Sequence, residues 1–227
     1  MTPLAQLEAL SNATLAEQAL AYHKATRIYL GVTVPQIEAL TDQWRVDLTL
    51  ENRIALAADL WATDIHEARV AAAKLLTQAR IRPDDAAWAL ICDWVPQFDA
   101  WAIADHATTA GQKRLLADPI RIETVEAWTN HENMWTRRAA LVITLPYAKK
   151  PNPKEADLAI RARALGWAAA YVEDRNWFIQ KAIAWWIRDL SKHDAETAAA
   201  FLKIHGPRLK SFARKEAARY LADFTLG

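Results

Sequence analysis

The chain has 227 residues, of which 52% are apolar and 24% are charged, and its formal net charge is +1. This length suffices for one domain with a sizeable core, and the single cysteine, Cys92, excludes a disulfide framework or a cysteine-based zinc site. Because no apolar run approaches ~20 residues and no N-terminal signal pattern is present, we expect a soluble, cytoplasmic protein.

The predicted elements are all helices. Gly is scarce, with 5 residues, and no run rich in Val, Ile or Thr alternates with period two between turn signals, so we predict an all-α fold. We expect Thr14 and Glu17 to form a capping box and Asp64 to cap the helix that follows it. In chain order, helices are predicted at residues 14–26, 34–45, 51–62, 65–79, 84–95, 101–109, 122–130, 134–145, 154–172, 177–191, 195–205 and 208–224.

The predicted helices occur in pairs. The pairs recur at roughly 35–45 residues, which is the period of HEAT-like or armadillo-like arrays. No linker interrupts them, so we predict one domain over residues 1–227, a helical-repeat solenoid with a concave face that could bind DNA.

Tryptophan is unusually frequent, with 11 residues. We expect Trp61, Trp88, Trp94 and Trp167, which lie in apolar helical patterns, to be core residues, and Cys92 to be a buried thiol. Two adjacent tryptophans, at 185 and 186, point about 100° apart on a helix, so at least one of them should line a surface or groove.

The charges are unevenly distributed. Residues 1–110 carry 8 Lys and Arg against 14 Asp and Glu, whereas residues 111–227 carry 20 against 13. This asymmetry favours one basic face and a nucleic acid or acidic ligand as the partner. The alternative is chance sorting of solvated charges.

Three runs combine Trp with Arg or Asp, at residues 98–108, 134–147 and 178–190. Trp101 and Asp105 are four residues apart and share one helical face. Indoles bind flat or cationic groups, for about 0.5–2 kcal/mol each, and the guanidinium groups of Arg138 and Arg188 suit phosphates. Asp105 needs a positive partner, and a purine alkylated at N7 or N3 carries that charge. The runs therefore point to damaged DNA.

Six segments also match a known family in order and at comparable spacing. They are YHKATRIYLGVTVPQIEAL (residues 22–40), DIHEARVAAAKLL (64–76), WAIAD (101–105), MWTRRAA (134–140), FIQKAIAWWIR (178–188) and FARKEA (212–217). Together they resemble the AlkD-like DNA alkylation repair glycosylases, which are built from HEAT-like repeats. Two departures are Ala184, where the family often has Gly, and Ala102, where many relatives have Asp.

The resemblance implies a hydrolase of base excision repair, a glycosylase of the DNA-3-methyladenine/7-methylguanine type. It would release N3- and N7-alkylated purines from duplex DNA without an enclosing base pocket. Asp105 matches the family's catalytic carboxylate and Arg138 its active-site arginine. Trp101 and Trp185 match aromatic residues that contact the DNA backbone at the lesion.

The matching segments imply further DNA contacts. Tyr22 matches a DNA-contacting tyrosine and Arg188 a basic position of the groove. Which of Arg137 and Arg138 faces DNA stays open at this point. The full set expected to bind DNA is Tyr22, Arg137, Lys181, Arg188, Arg214 and Lys215.

Three other interpretations remain open. The chain could be a non-catalytic HEAT-like scaffold for structured DNA or a protein partner, an enzyme for another cationic or crosslinked nucleoside, or a fold that buries every Trp in its core. No His pair has metal-ligand spacing and no glycine loop suits a nucleotide, so we expect neither metal nor cofactor. We expect His106 to be a surface residue, and the protein to be a nucleoid-associated monomer without membrane contact.

Overall fold

The computed structural model describes residues 1–221, and the regular elements in that range are all helical. The all-α prediction is therefore confirmed for these residues. The helices are, in chain order, α1 (Pro3–Glu8), α2 (Ala13–His23), α3 (Val34–Asp47), α4 (Leu50–Ala62), α5 (His66–Leu75), α6 (Asp85–Trp94), α7 (Trp101–Ala117), α8 (Ile122–Ala127), α9 (Met134–Ile143), α10 (Leu145–Ala148), α11 (Glu155–Ala170), α12 (Trp177–Leu190), α13 (Ala195–His205) and α14 (Ser211–Ala217).

Two predicted caps are wrong. Helix α2 is capped by Asn12, whose side chain accepts the Leu15 N–H at 3.0 Å, and not by Thr14. Helix α5 has Ile65 at its N-cap, because Asp64 adopts the left-handed conformation with φ 56°. The Asp64 carboxylate instead pairs with arginines, as described below.

Three predicted boundaries also differ. Helix α7 continues to Ala117, well beyond residue 109, because its sequence is rich in strong helix formers such as Ala, Leu, Gln, Lys and Arg. Helix α9 ends at Ile143, and the chain restarts as α10 with Pro146 in the first turn. Helix α14 ends at Ala217, and Phe224 lies outside the described residues.

The chain divides into two compact units, Met1–Ala117 and Asp118–Gly227. In the first unit α5 is central and packs against α3, α4 and α7. In the second unit α12 is central and packs against α9, α10, α13 and α14. Both central helices bury most of their residues, so each unit is built around one apolar helix. The expectation of a single domain stays a prediction.

The predicted core tryptophans are mostly buried. Trp61 and Trp94 are 3% and 2% exposed and stack with ring centroids 4.3 Å apart, and Trp167 is 7% exposed. Trp88 and Cys92 are only half-buried on the outer side of α6, so the prediction that both belong to the core is wrong. No helix within residues 1–221 has the length and apolar character needed to cross a bilayer.

Candidate functional site

The N-terminal part of α7 carries Trp101 and, one turn later, Asp105. Both side chains are half-buried, whereas Ile103, Ala104 and Ala107 of the same helix point into the core. With 3.6 residues per turn, positions four apart lie one above the other. The indole and the carboxylate thus share the outer face of α7, as their spacing predicts.

Aromatic rings from α2 and the loop after it surround Trp101. The Tyr22 ring meets the indole edge-on, with centroids 5.8 Å apart and an interplanar angle of 87°. The His23 ring lies 5.3 Å from the indole and 4.5 Å from the ring of His66, on which Tyr29 stacks at 4.8 Å. Tyr22 itself is 68% exposed, so its face and hydroxyl are open to a ligand.

A buried carboxylate holds this loop in place. Glu67 is 2% exposed and accepts the backbone N–H groups of Leu30 and Gly31, each at 2.8 Å. Gly31 has φ 75°, and a Cβ there would lie 2.2 Å from the carbonyl oxygen of Asn12. Both the conformation and the close approach therefore require glycine at this position.

Ion pairs connect the same loop to the start of α7. The buried Arg27 guanidinium pairs with Asp99, two residues before Trp101, and lies 3.6 Å from Asp64. Asp64 also pairs with Arg69 at 3.2 Å. These ion pairs join the loop after α2, the residues around the start of α5 and the residues before α7. They therefore fix the position of the Trp101 indole relative to Tyr22.

Two histidines near this cluster are held neutral. Burial, together with the electrostatic effects of His23, Arg27 and His106, lowers the pKa of His66 to about 3. Burial also lowers the pKa of His106 to about 4, together with the charge of Lys74 and against those of Asp105 and Glu38. His106 is half-buried, so the prediction that it is a surface residue is wrong.

In the second unit, one face of α12 and the turn that follows it carry aromatic and basic residues. They are Trp177, Lys181, Trp185, Arg188 and, in the turn, Lys192, spaced by four, four, three and four residues. We call these five residues the α12 strip. Each of them is half-buried or exposed. Trp177 stands among the tryptophans that the sequence places near Arg and Asp, but neither it nor Lys192 was predicted to contact DNA, although their helical spacing from Lys181 was a usable signal.

The adjacent tryptophans of α12 point in different directions, which confirms that prediction. Trp186 is fully buried and donates its indole N–H to the Thr144 hydroxyl at 3.1 Å, so it belongs to the core. Trp185 is half-buried, and the ammonium of Lys149 lies 5.7 Å from its ring centroid. Lys149, which the sequence did not single out, therefore extends the basic character of the α12 strip.

Several basic side chains of the α12 strip form ion pairs with acidic side chains. Glu216 pairs with Lys181 and, at 2.6 Å, with Arg188. The buried Asp189 lies 3.3 Å from Lys149 and 3.3 Å from Lys192. These pairs fix the positions of the four basic groups, and they also neutralise part of their charge.

The neighbouring arginines of α9 have different surroundings. Arg137 donates to the carbonyls of His131 and Glu132, at 2.9 and 2.8 Å, and pairs with Asp174 at 3.1 Å. The Arg137 guanidinium is therefore engaged in hydrogen bonds and an ion pair within the second unit. Arg138 is 4% exposed, and its guanidinium lies 5.8 Å from the Trp135 ring centroid.

Helix α14 supplies the remaining predicted contacts. Lys215 is exposed and Arg214 is half-buried. Phe212, at the start of this helix, stacks on Trp177 with centroids 5.6 Å apart, which joins α14 to the α12 strip. Within residues 1–221, no group of three or more His, Cys, Asp or Glu side chains is arranged to hold a metal ion.

Comparisons with known proteins agree with this picture. Among solved structures, a predicted DNA alkylation repair enzyme from Enterococcus faecalis is similar over 94% of this chain and 98% of its own, with a TM-score of 0.78 and 23% identity. AlkD2 from Streptococcus mutans is similar over 94% and 99%, with a TM-score of 0.62 and 16% identity. These similarities confirm the predicted helical-repeat fold.

The family comparison covers nearly the whole chain. No protein of curated function matches the sequence. The sequence model described as DNA alkylation repair enzyme matches residues 4–221, a range that includes Trp101 and Asp105 of α7 and the α12 strip. The chain therefore belongs to the DNA alkylation repair enzyme family.

Proposed function

We propose that the protein is a DNA glycosylase that hydrolyses the N-glycosidic bond of cationic N3- or N7-alkylated purines in duplex DNA. One observation carries the proposal: in a member of this family, Asp105 lies one helical turn from Trp101, against which the exposed Tyr22 packs. The arrangement offers a carboxylate beside two aromatic surfaces, which suits a positively charged, flat group.

The reaction requires mainly a negative charge positioned close to the sugar. An alkylated purine already carries a positive charge, and it leaves as a neutral base with the electron pair of the C–N bond. Water then adds to C1′ of the sugar and releases one proton to solvent. Because positive charge develops on the sugar as the bond breaks, a carboxylate at Asp105 stabilises the transition state more than the ground state.

Trp101 and Tyr22 have a supporting role in this proposal. Their rings pack against deoxyribose and exclude bulk water, which strengthens the electrostatic effect of Asp105. A neutral base gains nothing comparable, since it must be protonated before it can leave. The same carboxylate therefore makes the enzyme selective for cationic lesions.

The second unit supplies most of the proposed contacts with the DNA backbone. Phosphate contacts from Lys and Arg carry most of the affinity for duplex DNA, and Trp faces suit sugars. We assign the α12 strip, Lys149 and Lys215 to the backbone. Trp185 and Arg138 remain proposed contacts at the lesion, on the family resemblance. A concave binding face, a monomeric state and a place at the nucleoid remain predictions.

The test compares Asp105→Asn with the wild type in release of 7-methylguanine from a methylated duplex. Asn keeps the size of the side chain and removes its charge, so we expect a loss of about 100-fold or more in the single-turnover rate. Asp93→Asn is the matched control, because Asp93 is an exposed acid on α6. Its rate should equal that of the wild type.

Two results would contradict the proposal. If Asp105→Asn released the base as fast as the wild type, the carboxylate would have no catalytic role. If the wild type bound the duplex and released nothing, the protein would be the DNA-binding scaffold that the sequence left open as an alternative.

A further inference from the structure

One buried carboxylate lies beneath the basic end of the α12 strip. Asp189 is 2% exposed, whereas the side chains of Lys149 and Lys192, which contact it, are 51% and 42% exposed. The ammonium of Lys149 lies 3.3 Å from Oδ2 of Asp189, and that of Lys192 lies 3.3 Å from Oδ1. The carboxylate therefore lies on the inner side of two cations that reach solvent.

The contacts of Asp189 join separate parts of the second unit. Lys149 follows α10 and Lys192 lies in the turn after α12, while Arg188 precedes Asp189 on α12 and has two guanidinium nitrogens 3.4 Å from Oδ1. Although burial raises the pKa of Asp189, the nearby Lys149, Lys192 and Arg188 outweigh it and hold the pKa below its ordinary value. Asp189 is thus an ionised partner shared by three cations.

Aromatic rings lie next to both lysines. The Lys149 ammonium is 5.7 Å from the centroid of the Trp185 ring, and the Lys192 ammonium is 4.8 Å from that of the Tyr220 ring. Each ammonium therefore has both a carboxylate and a ring as neighbours. These contacts restrict a side chain that samples many rotamers when it is free in solvent.

The same contacts leave donors available for a ligand. An ammonium has three N–H donors, and Asp189 offers only two oxygens to the cations around it. Because two lysines share one carboxylate, their positive charge is only half compensated. Ordered cations with spare donors and excess charge suit the phosphates of duplex DNA.

Asp189 could affect DNA in two opposite ways. A neutralising acid weakens the attraction for phosphate, so its removal tightens binding; this suits Glu216, whose side chain is 13% exposed against 3% for Asp189. An acid that orders lysines lowers the entropy cost of binding, so its removal weakens binding. Burial favours the second role for Asp189, because a phosphate arriving from solvent comes closer to the ammonium groups than to the carboxylate.

We propose that Asp189 is a positioning residue for DNA binding, which holds Lys149, Lys192 and Arg188 in the arrangement that contacts the backbone of duplex DNA. The inference rests on the proposed function, since it concerns the surface assigned there to the backbone. Asp189 acts through the three cations and has no contact of its own with DNA.

The test measures the affinity of the full chain for an undamaged duplex by fluorescence anisotropy, at about 0.1 M salt. Asp189→Asn keeps the size of the side chain and makes the protein more positive, yet it should weaken binding about 5-fold, since DNA must then order the lysines. Asp157→Asn is the matched control, because Asp157 is also buried and pairs with Lys150 at 2.7 Å. This control should bind no more weakly than the wild type. Equal or tighter binding by Asp189→Asn would overturn the proposal.

A double-mutant comparison separates positioning from a general effect on the fold. In a chain that carries Lys149→Ala and Lys192→Ala, adding Asp189→Asn should change the affinity by less than about 2-fold, because the lysines that Asp189 positions are absent. Circular dichroism verifies that each variant is folded. A full 5-fold loss in that background would show that Asp189 acts through the fold, and it would refute the positioning role.

A pair of lysine variants tests the proposal even if Asp189→Asn does not fold. Lys149 and Lys150 are neighbours, but Asp189 holds the first and Asp157 the second. Lys149→Met should therefore weaken duplex binding about 5-fold more than Lys150→Met does. Equal effects of the two substitutions would leave Asp189 no DNA contact to position, and the proposal would fail.

The outcome is distinguishable from that of the glycosylase assay. If the wild type binds the undamaged duplex with the expected dependence on Asp189 but releases no base, the proposed function alone is refuted. If the wild type releases 7-methylguanine and Asp189→Asn binds the duplex as tightly as the wild type, the positioning role alone is refuted.

Discussion

Mild acid should destabilise the first unit through its buried histidines. His66 is 7% exposed, and burial lowers its pKa to about 3, whereas the same imidazole in the unfolded chain has a pKa of 6.5. Between these values the unfolded state binds the proton and the folded state does not. The stability from the neutral imidazole is therefore complete above pH 6.5 and is lost as the pH falls from there towards about 3.

The magnitude follows from proton linkage. Each group of this kind lowers the free energy of unfolding by about 1.4 kcal/mol per pH unit, in the range where its unfolded form is mostly protonated. His106, whose pKa burial lowers to about 4, acts in the same direction. Together the two histidines should give about 2.7 kcal/mol per pH unit between about pH 6 and pH 5.

Urea unfolding at several pH values between about 5 and 6.5, followed by circular dichroism, measures this slope. The sharper quantity is the difference between the wild type and His66→Phe, because contributions from other groups cancel. We expect the variant's slope, averaged over this range, to be smaller by about 1 kcal/mol per pH unit. His193→Gln, at an exposed position, is the control. Equal slopes for the wild type and His66→Phe would refute the reasoning.

Three further predictions concern the second unit. Glu216→Gln should strengthen duplex binding several-fold at low salt in fluorescence anisotropy, because it releases two cations of the α12 strip, and unchanged affinity would contradict this. Lys192→Ala should reduce the slope of log affinity against log salt by about 1. Trp185→Ala should weaken DNA binding at near-normal stability, because Trp185 is only half-buried. Trp186→Ala should lower the free energy of unfolding in urea by about 3–5 kcal/mol, because Trp186 is fully buried.

The fold was predictable because its signals are local. Helical periodicity and the absence of alternating strands identify ten of the twelve predicted helices to within a few residues of the observed ones, and the exceptions are the lengths of α7 and α14. The errors occur where a tertiary contact decides the local conformation. Asp64 resembles an N-cap in sequence, but its ion pairs with Arg27 and Arg69 favour the left-handed conformation.

The sequence predicts the arrangement of the site residues only where they lie on the same helix. The face shared by Trp101 and Asp105 follows from a spacing of four residues. Its surroundings do not, because they come from residues distant in sequence: Asp99 is 72 residues from Arg27, and Glu67 is 36 residues from Gly31. The pairing of Glu216 with Arg188, 28 residues apart, is equally invisible in the sequence.

The two units differ in net charge, which suits them to different roles in the proposed reaction. Met1–Ala117 carries 10 Lys and Arg against 14 Asp and Glu, and Asp118–Gly227 carries 18 against 13. The second unit therefore attracts phosphate, and the first does not. The proposed reaction thus assigns duplex affinity to basic residues of the second unit and lesion selectivity to Asp105, and substitutions in the two sets test these roles separately.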